Sequence, residues 1–348
     1  MREPPACAFF MPRINGDNHP MPKRISLSLL FLLILAAPPA QPQSKSKPHS
    51  GPRADTAAIT PWLFAGFKGN GEQGVYYAIS QDGYHWTIAN QDRPVFHQTQ
   101  PNELMRDPFL QRGPDGTVHL VWTWSWNTPT ILGHSTSTDL IHWTPHQQLN
   151  VLANEPTAIN AWAPALYYEP GQKRWLLFWS STIPGRFPGD DSGDSGLNHR
   201  IFYTTTPDFV NLAPAKVFFD PGYSVIDATL IPTGTNYHLI FKDERKTPLK
   251  KVLQTAEGPT MEGPWTNISP PISGHWSEGA AIIRVKGGYL AYYDHYHDPQ
   301  RYGALFSTDL KTWTNADDRV TFPAKLRHGS FLRITKAEYD RINNLQQP

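Results

Sequence analysis

Asp82-Gly83-Tyr84-His85-Trp86-Thr87 returns as Asp139-Leu140-Ile141-His142-Trp143-Thr144 and again as Asp309-Leu310-Lys311-Thr312-Trp313-Thr314. Looser copies stand at Asp208-Phe209-Val210-Asn211-Leu212 and Glu262-Gly263-Pro264-Trp265-Thr266. Each clear copy follows a short apolar stretch ending in Ser: Val75 to Ser80, Ile131 to Ser137 and Ala304 to Ser307. An acid that bonds turn amides, followed by a Trp that packs between neighbours, closes a repeating strand unit. The markers Trp86, Trp143, Leu212, Trp265 and Trp313 lie 57, 69, 53 and 48 residues apart, in the range of propeller blades. Five units predict an all-β fold, a five-bladed β-propeller of four-stranded sheets around a channel. Because the turn recurs in blade after blade, its Asp is structural; a reaction centre needs unlike residues that converge once.

Composition agrees. Of 348 residues 12% are aromatic, and 34 Pro with 25 Gly supply turns, which favours many short strands. A formal net charge of +1 offers no basic field for nucleic acid. No stretch sustains a 3.6-residue apolar period, and only Lys336 to Leu345 reads as a short terminal helix.

Lys23-Arg24 precedes the apolar run Ile25 to Ala37 and then Ala36-Ala37-Pro38-Pro39-Ala40. The run is far shorter than the ~20 residues that cross a bilayer. It reads as a signal peptide over 1–40, with Met21 as the expected start, and predicts a secreted or periplasmic protein. An uncleaved membrane anchor is the alternative. Residues 41–60, rich in Pro, Ser and Lys, read as a disordered linker, and 61–348 as one propeller domain. The sole cysteine, Cys7, precedes the apolar run, so the exported chain has no thiol nucleophile, thiolate metal site or disulfide. The Gly/Asp-rich stretch Pro184 to His199, with Asp190, Asp191 and Asp194, reads as a mobile, solvated insertion; its spacing does not match a calcium loop.

Three acids each stand where an apolar strand begins: Asp107 in Arg106-Asp107-Pro108-Phe109-Leu110, Asp227 in Val225-Ile226-Asp227-Ala228-Thr229, and Glu278 in Ser277-Glu278-Gly279-Ala280-Ala281. In a propeller the inner strands line one channel, so such positions converge. Clustered carboxylates raise one another's pKa. Inverting hydrolysis of a glycosidic bond uses such a set: one carboxylate activates water, and another carboxyl, ~6.5–9.5 Å away, protonates the leaving oxygen. A third can tune the acid.

These strand heads, with Trp162-Ala163-Pro164 and Arg327-His328-Gly329-Ser330, resemble glycoside hydrolase family 43, the five-bladed propeller glycosidases of arabinose-, xylose- and galactose-containing polysaccharides. The similarity spans Trp62 to about Thr335. It implies Asp107 as general base, Asp227 as pKa modulator and Glu278 as general acid. Many members place the base almost at the start of the mature chain; here a whole unit, Trp62 to His97, precedes it. Arg327 to Thr335 would then complete the first sheet and close the ring. The implied activity is that of an exo-acting, inverting α-L-arabinofuranosidase, with β-xylosidase or galactan and galactofuranoside hydrolysis next. An oligosaccharide or polysaccharide substrate, no cofactor and a monomer are expected. A non-catalytic carbohydrate-binding propeller is the alternative.

Other residues carry two readings each. Trp162 is a wall for a sugar ring or a packing Trp. Trp124 and Trp126 line a further subsite or the core. His328, the family's channel histidine by resemblance, holds a central cation through water or bonds the acids. Arg245 or Lys242 pairs with Asp227 or forms a surface salt bridge, and Arg106 beside the base has the same choice. Arg301 reaches a substrate hydroxyl. His295 and His297 suit sugar hydroxyls or solvent better than zinc, so no metal site is assigned.

Overall fold

The computed structural model describes residues 60–126, 130–189, 193–233 and 236–345. The expected signal peptide and linker, Thr60 apart, lie outside the described residues, as do Asp190 and Asp191. The first blade carries β1 (Trp62–Phe67), β2 (Gly74–Ser80), β3 (Thr87–Ile88) and β4 (Phe96–His97), which pairs with β2. The second is β5 (Arg106–Arg112), β6 (Val118–Thr123), β7 (Ile131–Ser137) and β8 (Gln147–Asn150). The third is β9 (Trp162–Glu169), β10 (Arg174–Ser181), β11 (Arg200–Thr206) and β12 (Lys216–Phe219). The fourth is β13 (Val225–Thr233), β14 (Asn236–Asp243) and β15 (Val252–Gly258). The fifth is β16 (Ser277–Val285), β17 (Gly288–His295), β18 (Arg301–Ser307) and β19 (Thr314–Asn315). Finally β20 (Arg327–Arg333) pairs antiparallel with β1 and becomes the inner strand of the first blade. The ring is closed by its own two ends, as the order of motifs predicted.

The fourth blade departs from the expected four strands. Its outer segment is reduced to one bridge between Glu257 and Thr266. Pro264, Pro270 and Pro271 interrupt that segment, and proline has no amide proton for a ladder.

The repeated turn explains how blades end and how they join. Ser137 Oγ accepts from the amides of Asp139 and Leu140, while Asp139 Oδ1 accepts from Ile141 N at 2.9 Å and His142 N at 2.8 Å. Asp82, Asp208 and Asp309 repeat these bonds. The Trp that follows packs on the preceding blade. Trp86 donates to the Tyr292 hydroxyl of β17, Trp143 lies 5.5 Å from Phe96 of β4, and Trp265 lies 5.5 Å from Phe218 of β12. The chain ends in α1 (Lys336–Asn343), held by a reciprocal Thr335–Glu338 cap.

Candidate active site

The inner strands of the second to fifth blades open with the same irregularity. Ladder pairing skips between Arg106 and Phe109, Trp162 and Ala165, Ile226 and Thr229, and Glu278 and Ala281, so two residues face one across the strand pair. These are β-bulges, which bend a strand and re-aim its side chains. The first bulged residue adopts a positive φ: 51° at Asp107, 49° at Ala163, 56° at Asp227 and 58° at Gly279. A buried aromatic stands opposite each bulge: Trp122, Trp179, Phe241 and Tyr293. The bulges turn the strand heads into the mouth of the channel.

This register corrects one expectation. Asp107 and Asp227 occupy the equivalent bulge position, but in the fifth blade that position is Gly279, and Glu278 precedes it. Glycine is required there, because a Cβ would lie 2.3 Å from the His328 ring. Glu278 thus corresponds to Arg106, Trp162 and Ile226. Both rows face the same cavity of about 340 Å³, which Asp107, Asp227, Glu278, Trp126, Trp162 and His328 line together.

Bonds across blades hold the mouth. Thr123 of β6 donates to Asp107 Oδ2 at 2.7 Å and accepts from Ala163 N at 2.8 Å. Ser180 of β10 accepts from Asp227 N, and Gly279 N donates to Asp227 Oδ2 at 3.0 Å. Lys242 of β14 donates to Glu278 Oε2 at 2.9 Å, and Arg327 donates to Glu278 Oε1 at 3.0 Å. Arg327 also pairs at 2.8 Å with Asp294, which is fully buried at the end of β17.

The carboxyls differ electrically. Burial opposes ionisation of Asp107, but the His328 imidazolium 3.2 Å away, Arg106 and Thr123 outweigh it and hold the group well below the usual carboxylate range. At Asp227 burial, reinforced by Glu278 and Asp107, exceeds the pull of His328 and pushes the pKa up to about 6. At Glu278 burial is overcome by Lys242 and Arg327, which keep it an anion. Burial works against charge on His328, yet Asp227 and Asp107 push its pKa up to about 9. His328 therefore supplies positive charge itself. Among the described residues no group of three His, Asp or Glu side chains is arranged to hold a metal ion.

The remaining expected residues divide. Trp126 packs edge-on to Trp162 at 5.0 Å, beneath the Arg106 guanidinium, while Trp124 belongs to the core. Arg245 and Arg301 fall outside the pocket lining. Arg245 pairs with neighbouring Asp243 at 2.6 Å and stacks on Tyr223; Arg301 reaches Asp317 at 3.3 Å and is half-exposed. Lys242, three residues earlier on β14, is the cation that enters, and its direct ion pairs are with Glu278 and Glu244 rather than Asp227. Tyr296, His199 and Glu244 also line the cavity and were not singled out from sequence. For Lys242 the available signal was a charge ending the apolar run Leu239-Ile240-Phe241. Most described residues of the insertion are exposed, as expected, yet Asp194, Ser195 and Leu197 also form pocket wall.

A family model described as a probable glycosyl hydrolase domain, related to glycoside hydrolase family 43, matches residues 58–340. An α-L-arabinofuranosidase of Bifidobacterium longum subsp. longum is 25% identical over 256 residues, 65% of this chain and 24% of its own length. A fructan 6-exohydrolase of Beta vulgaris is 34% identical over 102 residues, 27% of this chain and 17% of its own. The chain thus spans about a quarter or less of these relatives. An endo-1,4-β-xylanase structure from Bacteroides thetaiotaomicron superposes with TM-score 0.53 at 12% identity, covering 78% of this chain and 93% of that one. An exo-β-1,3-galactanase from Phanerochaete chrysosporium gives 0.53 at 10%, covering 74% and 60%. At these identities the structural likeness is one of fold alone.

Proposed function

Because the chain belongs to this glycosyl hydrolase family, we propose that it hydrolyses O-glycosidic bonds with inversion, acting as an exo-α-L-arabinofuranosidase on plant oligosaccharide or polysaccharide. The carrying observation is the electrical inequality of three carboxyls in one pocket: Asp107 is held ionised by His328, while Asp227 keeps a proton up to about pH 6 beside Glu278. Water attacks the anomeric carbon and gives its proton to Asp107 as the C–O bond breaks. The Asp227–Glu278 pair supplies one proton to the leaving oxygen. At rest that proton is on Asp227 and Glu278 is the anion; it passes through Glu278, the donor the family resemblance implies, as the C–O bond breaks. Asp107 then returns its proton to solvent.

Trp162 Nε1 is buried on the pocket wall without a hydrogen-bond partner among the described residues, which suits it to a sugar hydroxyl. The Bifidobacterium relative supports arabinofuranose as the first sugar to try. The basic-flanked apolar run at Ile25 to Ala37 supports an exported setting.

The test is a panel of aryl α-L-arabinofuranoside, β-D-xyloside and β-D-galactoside with the wild type, Asp107→Asn and Glu278→Gln. Wild-type turnover of a panel member, with roughly 10²–10⁴-fold lower kcat in each variant and sugar binding retained, is the expected result. Sugar binding without any turnover by the wild type replaces this reading with a carbohydrate-binding propeller.

A further inference from the structure

A buried run of alternating charges leads away from Glu278. Its Oε2 accepts from Lys242 Nζ at 2.9 Å, and the same ammonium lies 2.7 Å from Glu244 Oε2. The other Glu244 oxygen pairs with Lys251, whose Nζ reaches Asp194 Oδ2 at 3.2 Å. The side chains of Lys242, Glu244 and Lys251 are 2%, 6% and 0% exposed, whereas Asp194 is 55% exposed. Ammonium groups so shielded from water persist only between carboxylates.

The members come from separate parts of the chain. Lys242 lies at the end of β14, Glu244 just beyond it, and Lys251 just before β15. Asp194 begins the short turn Asp194–Gly196 in the insertion ahead of β11. Gly193 is seated directly on Glu244: a Cβ there would lie 2.5 Å from Glu244 Cγ. The stretch Gly193 to Leu197 is therefore docked on the charge run at the place where it also walls the pocket.

We propose that Lys242, Glu244, Lys251 and Asp194 are positioning residues for Glu278, a charge relay through which the turn Asp194–Gly196 governs when the Asp227–Glu278 pair holds its proton. The proposal rests on the hydrolytic reading above. Glu278 also faces Arg327 and His328 of β20, Asp294 of β17, Asp227 of β13, and the hydroxyls of Tyr296 and Tyr302. Those groups are common to every member of the comparison below. Within the relay, Lys242 favours the Glu278 anion, and Glu244 divides the attention of that ammonium. Lys251 in turn offsets Glu244, and Asp194 offsets Lys251. Influence falls with distance, so it is largest for Lys242 and Glu244.

The experiment is the pH profile of kcat/KM for Lys242→Gln, Glu244→Gln, Lys251→Gln and Asp194→Asn at fixed ionic strength, with melting temperatures alongside. Removing a cation disfavours the Glu278 anion and moves the alkaline limb up; removing an anion moves it down. The shift expected is about half a pH unit or more, roughly threefold in rate on the limb, for Lys242 and Glu244, and smaller for the outer pair. Asp194→Asn alters the most exposed member and keeps the test alive if a buried variant fails to fold; Asp194→Glu should restore the wild-type limb. Sign alternation along the relay is the expected result, since loss of stability alone does not reverse direction from one residue to the next. Shifts of one sign, or a folded Asp194→Asn with an unmoved limb, overturn the relay. A wild type without glycosidase turnover instead removes the hydrolytic reading beneath it.

Discussion

His328 Nδ1 lies 3.2 Å from Asp107 Oδ1, joining the strand that closes the ring to the first carboxylate of the pocket. Closing the ring thus brings to Asp107 a cation that favours its ionised form.

Stability should follow the titration of this histidine. Its folded pKa of about 9 lies above the ordinary value of 6.5. A raised pKa gives stability that is whole below the unfolded value and lost as pH rises through the folded one. The contribution is on the order of 3 kcal/mol at its fullest. The melting-temperature gap between wild type and His328→Gln should be widest near pH 6 and narrow above pH 9. A gap constant from pH 6 to 10 would show a neutral His328.

Gly279→Ala should be among the most damaging small substitutions. The new methyl would lie 2.3 Å from the His328 ring at a φ of 58°. A cost of roughly 1–3 kcal/mol in urea denaturation is expected, with turnover lost as His328 is displaced from Asp107. Unchanged stability would mean that the ring has room to move.

Asp139→Ala should separate folding from chemistry. It removes two bonds from turn amides, at 2.9 and 2.8 Å, far from the pocket lining. Stability should fall by about 1–3 kcal/mol with kcat unchanged in the folded enzyme. A specific fall in kcat would contradict a structural role for the repeated turn.

Trp126→Ala should act on binding. Its ring packs on Trp162 and beneath Arg106 at the pocket edge, and is 38% exposed. KM should rise several-fold with kcat nearly kept, read from steady-state rates on oligosaccharide and aryl substrates. Equal losses in kcat and kcat/KM would place the ring closer to the reacting atoms.

The architecture was legible because its signals are local. A Ser that caps a turn, an Asp that accepts two amides and a Trp that packs sideways all lie within a few residues, and their recurrence marks the blades. Apolar strands with acids at their heads likewise point to the channel, since a closed ring carries equivalent positions to one axis. Tertiary structure alone decided the exact row of Glu278, because a bulge adds a residue that no nearby pattern announces. It also decided that Lys242 enters the pocket while Arg245 turns to Asp243, and that Asp194 is tied to buried Lys251. Charge pairing in a dry interior is set by which groups meet from distant strands, and sequence order records only the candidates.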